Sequence, residues 1–147
     1  MITSLIACLM AFTLTATQAE INEYIVDICE QHTICPELVQ AMIETESNYD
    51  IDAENGDCKG LMQVSQKWHK DRMDKLDVTD IMRPYSNILV GVDYLAELSE
   101  KYEVGLALMI YNGGYKYAMS IYEKGELSSY AEKILERSAE LEKKHGK

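Results

Sequence analysis

The sequence predicts a single, almost entirely helical domain, and three observations carry that prediction. Apolar residues recur three and four positions apart along most of the chain, the mark of helices that bury one face. Gly and Pro act as punctuation between these stretches, with no internal repeat and no interdomain linker. At 147 residues, 47% of them hydrophobic, the chain can bury a core without help from metal or disulfide.

The elements follow in order. Ile21, Tyr24, Ile25 and Ile28 define a first amphipathic helix over about 20–31. Pro36 opens a second at a first-turn position, where its missing N–H costs nothing, and the helix runs to Ser47. From Asn48 to Lys59 the helical period is lost in a polar stretch with Gly56, followed by Gly60, and we expect an irregular segment. A short helix is expected over 66–75, where Trp68 and Met73 suggest partial burial. Pro84 stops the chain, and Ser86 can cap a long helix to about Tyr102 with Ile88, Val92, Leu95 and Leu98 inward. Val104–Tyr111 comes next, ended by Asn112-Gly113-Gly114, then Tyr115–Tyr122 before Gly125. Ser128 or Ser129 caps a last helix with Ile134, Leu135 and Leu141 inward.

Formal net charge is −11, and no Lys, Arg, Asp or Glu precedes Glu20. So acidic a surface repels phosphate backbones, which excludes nucleic acid as a partner class. Residues 1–19 look like an export signal: Ile2–Leu14 is mostly apolar, and Thr17-Gln18-Ala19 offers small residues for cleavage. The alternative is an apolar N-terminal helix of the mature protein. Leu5-Ile6-Ala7-Cys8 is a weak match to a lipoprotein box. After signal removal no segment is apolar enough to insert in a membrane. Cys29, Cys35 and Cys58 would remain; one pair can close in an oxidising compartment, and connectivity stays open. His32, His69 and His145 are scattered and match no ligand spacing, so no metal is expected. Asp50-Ile51-Asp52-Ala53-Glu54 fails as a calcium loop, because Gly falls at the seventh position and Leu61 at the twelfth.

Glu46 is the residue that breaks the pattern. Leu38, Val39, Met42 and Ile43 form an apolar stripe, and Glu46 continues it, while Glu37, Gln40 and Glu44 fall on the opposite face as solvated residues should. A free glutamate titrates near 4.3; half protonation at pH 7 needs a rise of about 2.7 pH units, roughly 3.7 kcal/mol. Desolvation alone can supply a rise of about 3 to 5 units. No basic residue lies between Asn22 and Cys58 to pair with it locally. The pattern is that of a working acid.

Three stretches in register, Ile43-Glu44-Thr45-Glu46-Ser47, Gly60-Leu61-Met62-Gln63 and Tyr111-Asn112-Gly113-Gly114, resemble the soluble lytic transglycosylase (SLT) domain, a relative of goose-type lysozyme. Pro84-Tyr85-Ser86-Asn87-Ile88 with Gly91 and Tyr94-Leu95, and Glu126-Leu127-Ser128-Ser129-Tyr130-Ala131, agree with it. The resemblance covers about residues 34–140 and implies a predominantly helical lysozyme-like domain, of the all-α or α+β kind, with a cleft. It implies that 20–147 is catalytic, that the partner is the peptidoglycan glycan strand, and that no cofactor is needed.

In this family the single catalytic carboxyl, here Glu46, protonates the glycosidic oxygen and then deprotonates the muramyl C6 hydroxyl, which closes a 1,6-anhydro ring. Ser47, Met62, Gln63, Tyr111, Asn112, Glu126 and Tyr130 are the implied substrate-binding residues. Alanine is more usual where Gly113 stands, and Leu127 replaces a threonine. The expected protein is an exported monomer, with cell-envelope machinery as a further partner class. Rival readings are a goose-type hydrolase using Asp50, Asp52, Glu54 or Asp57 to hold a water, and a wall-binding component without chemistry.

Overall fold

A computed structural model describes residues 16–147. Seven helices surround one core: α1 (Gln18–His32), α2 (Pro36–Glu46), α3 (Lys70–Lys75), α4 (Pro84–Lys101), α5 (Val104–Gly113), α6 (Tyr115–Tyr122) and α7 (Ser129–Lys144). Between α2 and α3 lies a small antiparallel sheet of β1 (Glu54–Asn55), β2 (Cys58–Lys59) and β3 (Val64–Ser65), in that spatial order. The domain is thus predominantly helical with a minor sheet, within the lysozyme-like fold class expected. Most of the proposed leader, including Cys8, lies outside the described residues. Gln18 and Ala19 belong to α1, whose N-cap Thr17 forms a reciprocal capping box with Glu20.

Four local expectations need correction. The segment read as irregular contains β1 and β2, joined by a two-residue turn in which Gly56 takes φ +60° at the first central position. The short helix starts at Lys70, because residues 66–69 are taken up by the turn that closes from Ser65 to His69. Pro84 opens α4 at its first turn, with Arg83 as N-cap, where Ser86 had been expected to cap it. Glu37 and Gln40 are not solvated: they are 2% and 8% exposed, since α7 packs over that face of α2.

Trp68, expected to be partly buried, is 78% exposed, because the turn before α3 carries it off the core; the core stripes are otherwise as periodicity placed them. Ile21, Ile25 and Ile28 of α1 meet α4, and Leu38, Val39, Met42 and Ile43 of α2 are buried beneath their neighbours. The most apolar helix, α5, runs through the middle, with Leu106–Ile110 buried between α4, α6 and α7. The thiols of Cys29, Cys35 and Cys58 are free. No helix of the described residues is long and apolar enough to cross a membrane.

Candidate active site

Glu46 is the last residue of α2, and Ser47 caps the helix through its amide, 3.0 Å from the Ile43 carbonyl. Its carboxyl is only partly exposed. Tyr130, in the first turn of α7, donates its phenol proton to Glu46 Oε1 across 2.5 Å. Ser128 fixes that first turn by accepting from the Ala131 amide. Among the described residues Oε2 has no protein partner, and it is not sealed from solvent. Burial raises the Glu46 pKa above the usual carboxylate value, and the Tyr130 bond opposes the rise in part. Burial and the adjacent carboxyl push the Tyr130 phenol far up, so it stays a donor at any physiological pH.

The loop between β2 and β3 is Gly60-Leu61-Met62-Gln63. Three contacts hold it against the helices. Ser47 Oγ donates to the Leu61 carbonyl at 2.8 Å, tying the loop to the end of α2. Asn87 of α4, fully buried, accepts from the Met62 amide at 2.8 Å and donates to the carbonyls of Lys59 and Ile81. Tyr111 of α5 donates to the Met62 carbonyl at 3.0 Å. Gly60 has φ +70°, and a Cβ there would come within 2.5 Å of Asn87 Nδ2, so both its conformation and its packing require glycine.

A groove of about 760 Å³ opens beside this loop. Cys58, Gln63, Tyr111 and Asn112 line it, as do Trp68, His69, Arg72 and Tyr94. The Glu46 charge opposes ionisation of both Cys58 and Tyr111, so the groove's walls reach the neighbourhood of the carboxyl. His69, Tyr94 and Tyr111 form an aromatic row with centroids 4.6 and 5.3 Å apart. Burial and the Arg72 charge lower the His69 pKa, which keeps its ring neutral. Arg72 is held by Asp93 and Glu97 and lies 5.1 Å from the Tyr94 centroid.

The expected site residues therefore divide. Glu46, Tyr130, Gln63, Tyr111 and Asn112 gather at or beside the groove. Ser47 spends its hydroxyl on the loop, and Met62 is wholly buried with its side chain against Gly91, so both support the site from beneath. Gln63 donates to the carbonyls of Ala53 and Gly60, and its own side-chain oxygen has no partner among the described residues. Glu126 is exposed, with no side-chain partner among the described residues. Sequence reasoning had given no role to Asn87, His69, Arg72 or Tyr94. Asn87 and Tyr94 stood inside the stretches that carried the resemblance, and this was the one available signal. Among the described residues no cluster of His, Cys, Asp and Glu could hold a metal ion.

What the arrangement can do is limited and specific. It offers one carboxyl with a raised pKa, one phenol to orient it, and an aromatic-walled groove whose Cys58 and Tyr111 feel the carboxyl's charge. A carboxyl of this kind can give a proton to a leaving oxygen and later take one back.

The fold is also that of a solved protein. The structure is similar to an inactive mutant of the lytic transglycosylase Slt from Pseudomonas aeruginosa, with a TM-score of 0.70 and 18% identity over 84% of this chain. That match covers 24% of the other chain, so this protein spans about a quarter of its length. The transglycosylase SLT domain model matches residues 23–129, from α1 to the start of α7 and including Glu46, the Gly60–Gln63 loop and the groove. By that match the chain belongs to the transglycosylase SLT domain family.

Proposed function

We propose that the protein is an exported peptidoglycan lytic transglycosylase, with residues 20–147 as its catalytic domain, acting outside the cytoplasm. It cleaves the β-1,4 bond between N-acetylmuramic acid and N-acetylglucosamine. Glu46 first protonates the glycosidic oxygen, and the bond to the muramyl C1 breaks. The carboxylate so formed removes the proton from the C6 hydroxyl, whose oxygen bonds to C1 and closes the 1,6-anhydro ring. The proton returns to Glu46, and no water is consumed. Tyr130 orients the carboxyl through Oε1, leaving Oε2 to carry the transferred proton. The nucleophile already belongs to the substrate, so proximity does much of the work.

The observation that carries this reading is how Glu46 is surrounded. Burial raises its pKa, the Tyr130 hydroxyl holds Oε1, and among the described residues no other side chain bonds to its carboxyl. A hydrolase that inverts needs one about 6.5 to 9.5 Å away to hold water. The acids weighed for that role are engaged elsewhere or exposed: Glu54 pairs with Lys59, and Asp50 accepts from the Asp52 amide.

Digestion of purified peptidoglycan, with mass analysis of the released muropeptides, tests the reading. Products one water lighter than hydrolytic ones are expected. Glu46→Gln should lower turnover by about a hundredfold to ten-thousandfold, the range for a lost general acid. Glu44→Gln, which breaks only the half-exposed pair with Arg137, should leave turnover unchanged. Products of hydrolytic mass, or undiminished turnover in Glu46→Gln, would refute it.

A further inference from the structure

The groove carries an aromatic surface that neither the acid nor its positioning uses. Trp68 is the chain's single tryptophan and is 78% exposed, the most exposed large apolar side chain among the described residues. The turn after β3 sets it on the groove wall, beside His69 and the row that continues through Tyr94 to Tyr111. The Lys67 ammonium stands over one face of the ring, 5.6 Å from its centroid, and leaves the other face open to a ligand. A second exposed ring comes from another element. Tyr117 of α6 is 45% exposed and lies against Gly113, which is itself groove wall. A Cβ at position 113 would meet the Tyr117 ring at 2.2 Å, so the bare glycine is what makes room for the phenol there.

What these rings suit is an uncharged ring face, and the Arg72 charge on the groove wall is already taken up by Asp93 and Glu97. A β-1,4-linked N-acetylhexosamine carries its polar groups around the ring edge and presents C–H bonds on its faces. Those faces stack on an indole or a phenol that is otherwise left in water. We propose that Trp68 and Tyr117 are stacking platforms for sugar rings of the glycan strand beyond the pair that flanks the cut, so that long strands bind better than disaccharides. This rests on the glycan-cleaving function proposed above.

Because no other tryptophan exists, the emission of Trp68 reads the contact directly. Glu46→Gln protein titrated with soluble, uncrosslinked peptidoglycan strands is expected to give a saturable blue shift, absent with the N-acetylglucosaminyl–N-acetylmuramic acid disaccharide. In the otherwise unaltered protein, Trp68→Ala should raise KM for strands about five- to tenfold with kcat little changed, and Trp68→Phe should recover most of the loss. Tyr117→Ala should raise KM about two- to fivefold. Emission that stays fixed while calorimetry shows the strands bound, or a Trp68→Ala KM equal to wild type, overturns the platform and leaves anhydro-product formation standing. A blue shift without any strand cleavage supports the platform and removes the catalytic reading. Strands that do not bind at all overturn both.

Discussion

A carboxyl at the C-terminal end of a helix faces the negative end of the helix dipole, and Glu46 ends α2. Its neutral form is thus favoured by position as well as by burial, while the Tyr130 phenol pulls the other way. The consequence for stability has a definite sign. A folded-state pKa raised above 4.5 means that the Glu46 contribution is full below that value and is lost as pH rises through the folded pKa. Glu46→Gln has no charge to bury, so it should melt above wild type at about pH 7, with the gap closing as pH falls below the unfolded carboxylate range. Melting temperatures at the two pH values check this; an equal gap at both would mean that ionisation is not what is being relieved. The anomaly at Glu46 was visible in the sequence because an acid continued an apolar stripe. Its partner was not, since Tyr130 lies 84 residues away and only the closing motif pointed to it. Periodicity likewise misassigned Glu37, because a helix covered on two sides has no solvated face for its pattern to report.

At the scale of elements, the site is a joint between a hairpin and three helices. The Gly60–Gln63 loop has little regular hydrogen bonding of its own, so α2, α4 and α5 hold it through Ser47, Asn87 and Tyr111. Asn87 does the most, satisfying three backbone groups at once. Asn87→Ala would leave two carbonyls and one amide without that partner and should cost about 2 to 4 kcal/mol. Urea unfolding measures this, and a loss under about 0.5 kcal/mol, the scale of a surface substitution, would show the loop to be held by packing alone. The helices were legible because each repeats its apolar spacing over two or more turns. The strands were not, because two residues cannot display an alternation, and their pairing depends on Asn87 and on Gly60 fitting against it.

Across the whole molecule, where acids outnumber bases 25 to 14, two arginines stand where helices meet. Arg137 of α7 pairs with Glu44 of α2, and Arg72 of α3 joins Asp93 and Glu97 of α4. The most buried acid is Glu37, in the first turn of α2. His145 and Lys147, just past the end of α7, both reach it, at 3.0 and 2.8 Å, and the Cys35 thiol donates to it as well. These contacts clamp one end of the α2–α7 pair, and Tyr130 meets Glu46 at the other. Burial by itself would raise the Glu37 pKa, but the bonds from Lys147 and His145 outweigh it and hold the carboxyl at about 2. With a folded pKa depressed from 4.5, Glu37 stabilises the fold above that value and loses the contribution as pH falls toward about 2. Glu37→Gln should therefore cost about 1 to 3 kcal/mol at neutral pH, and the difference from wild type should shrink across that acid window. Urea titrations at several pH values separate the causes. A deficit that persists at the acid end would come from lost packing, whereas one that vanishes there belongs to the ionised carboxylate and to the cations that hold it.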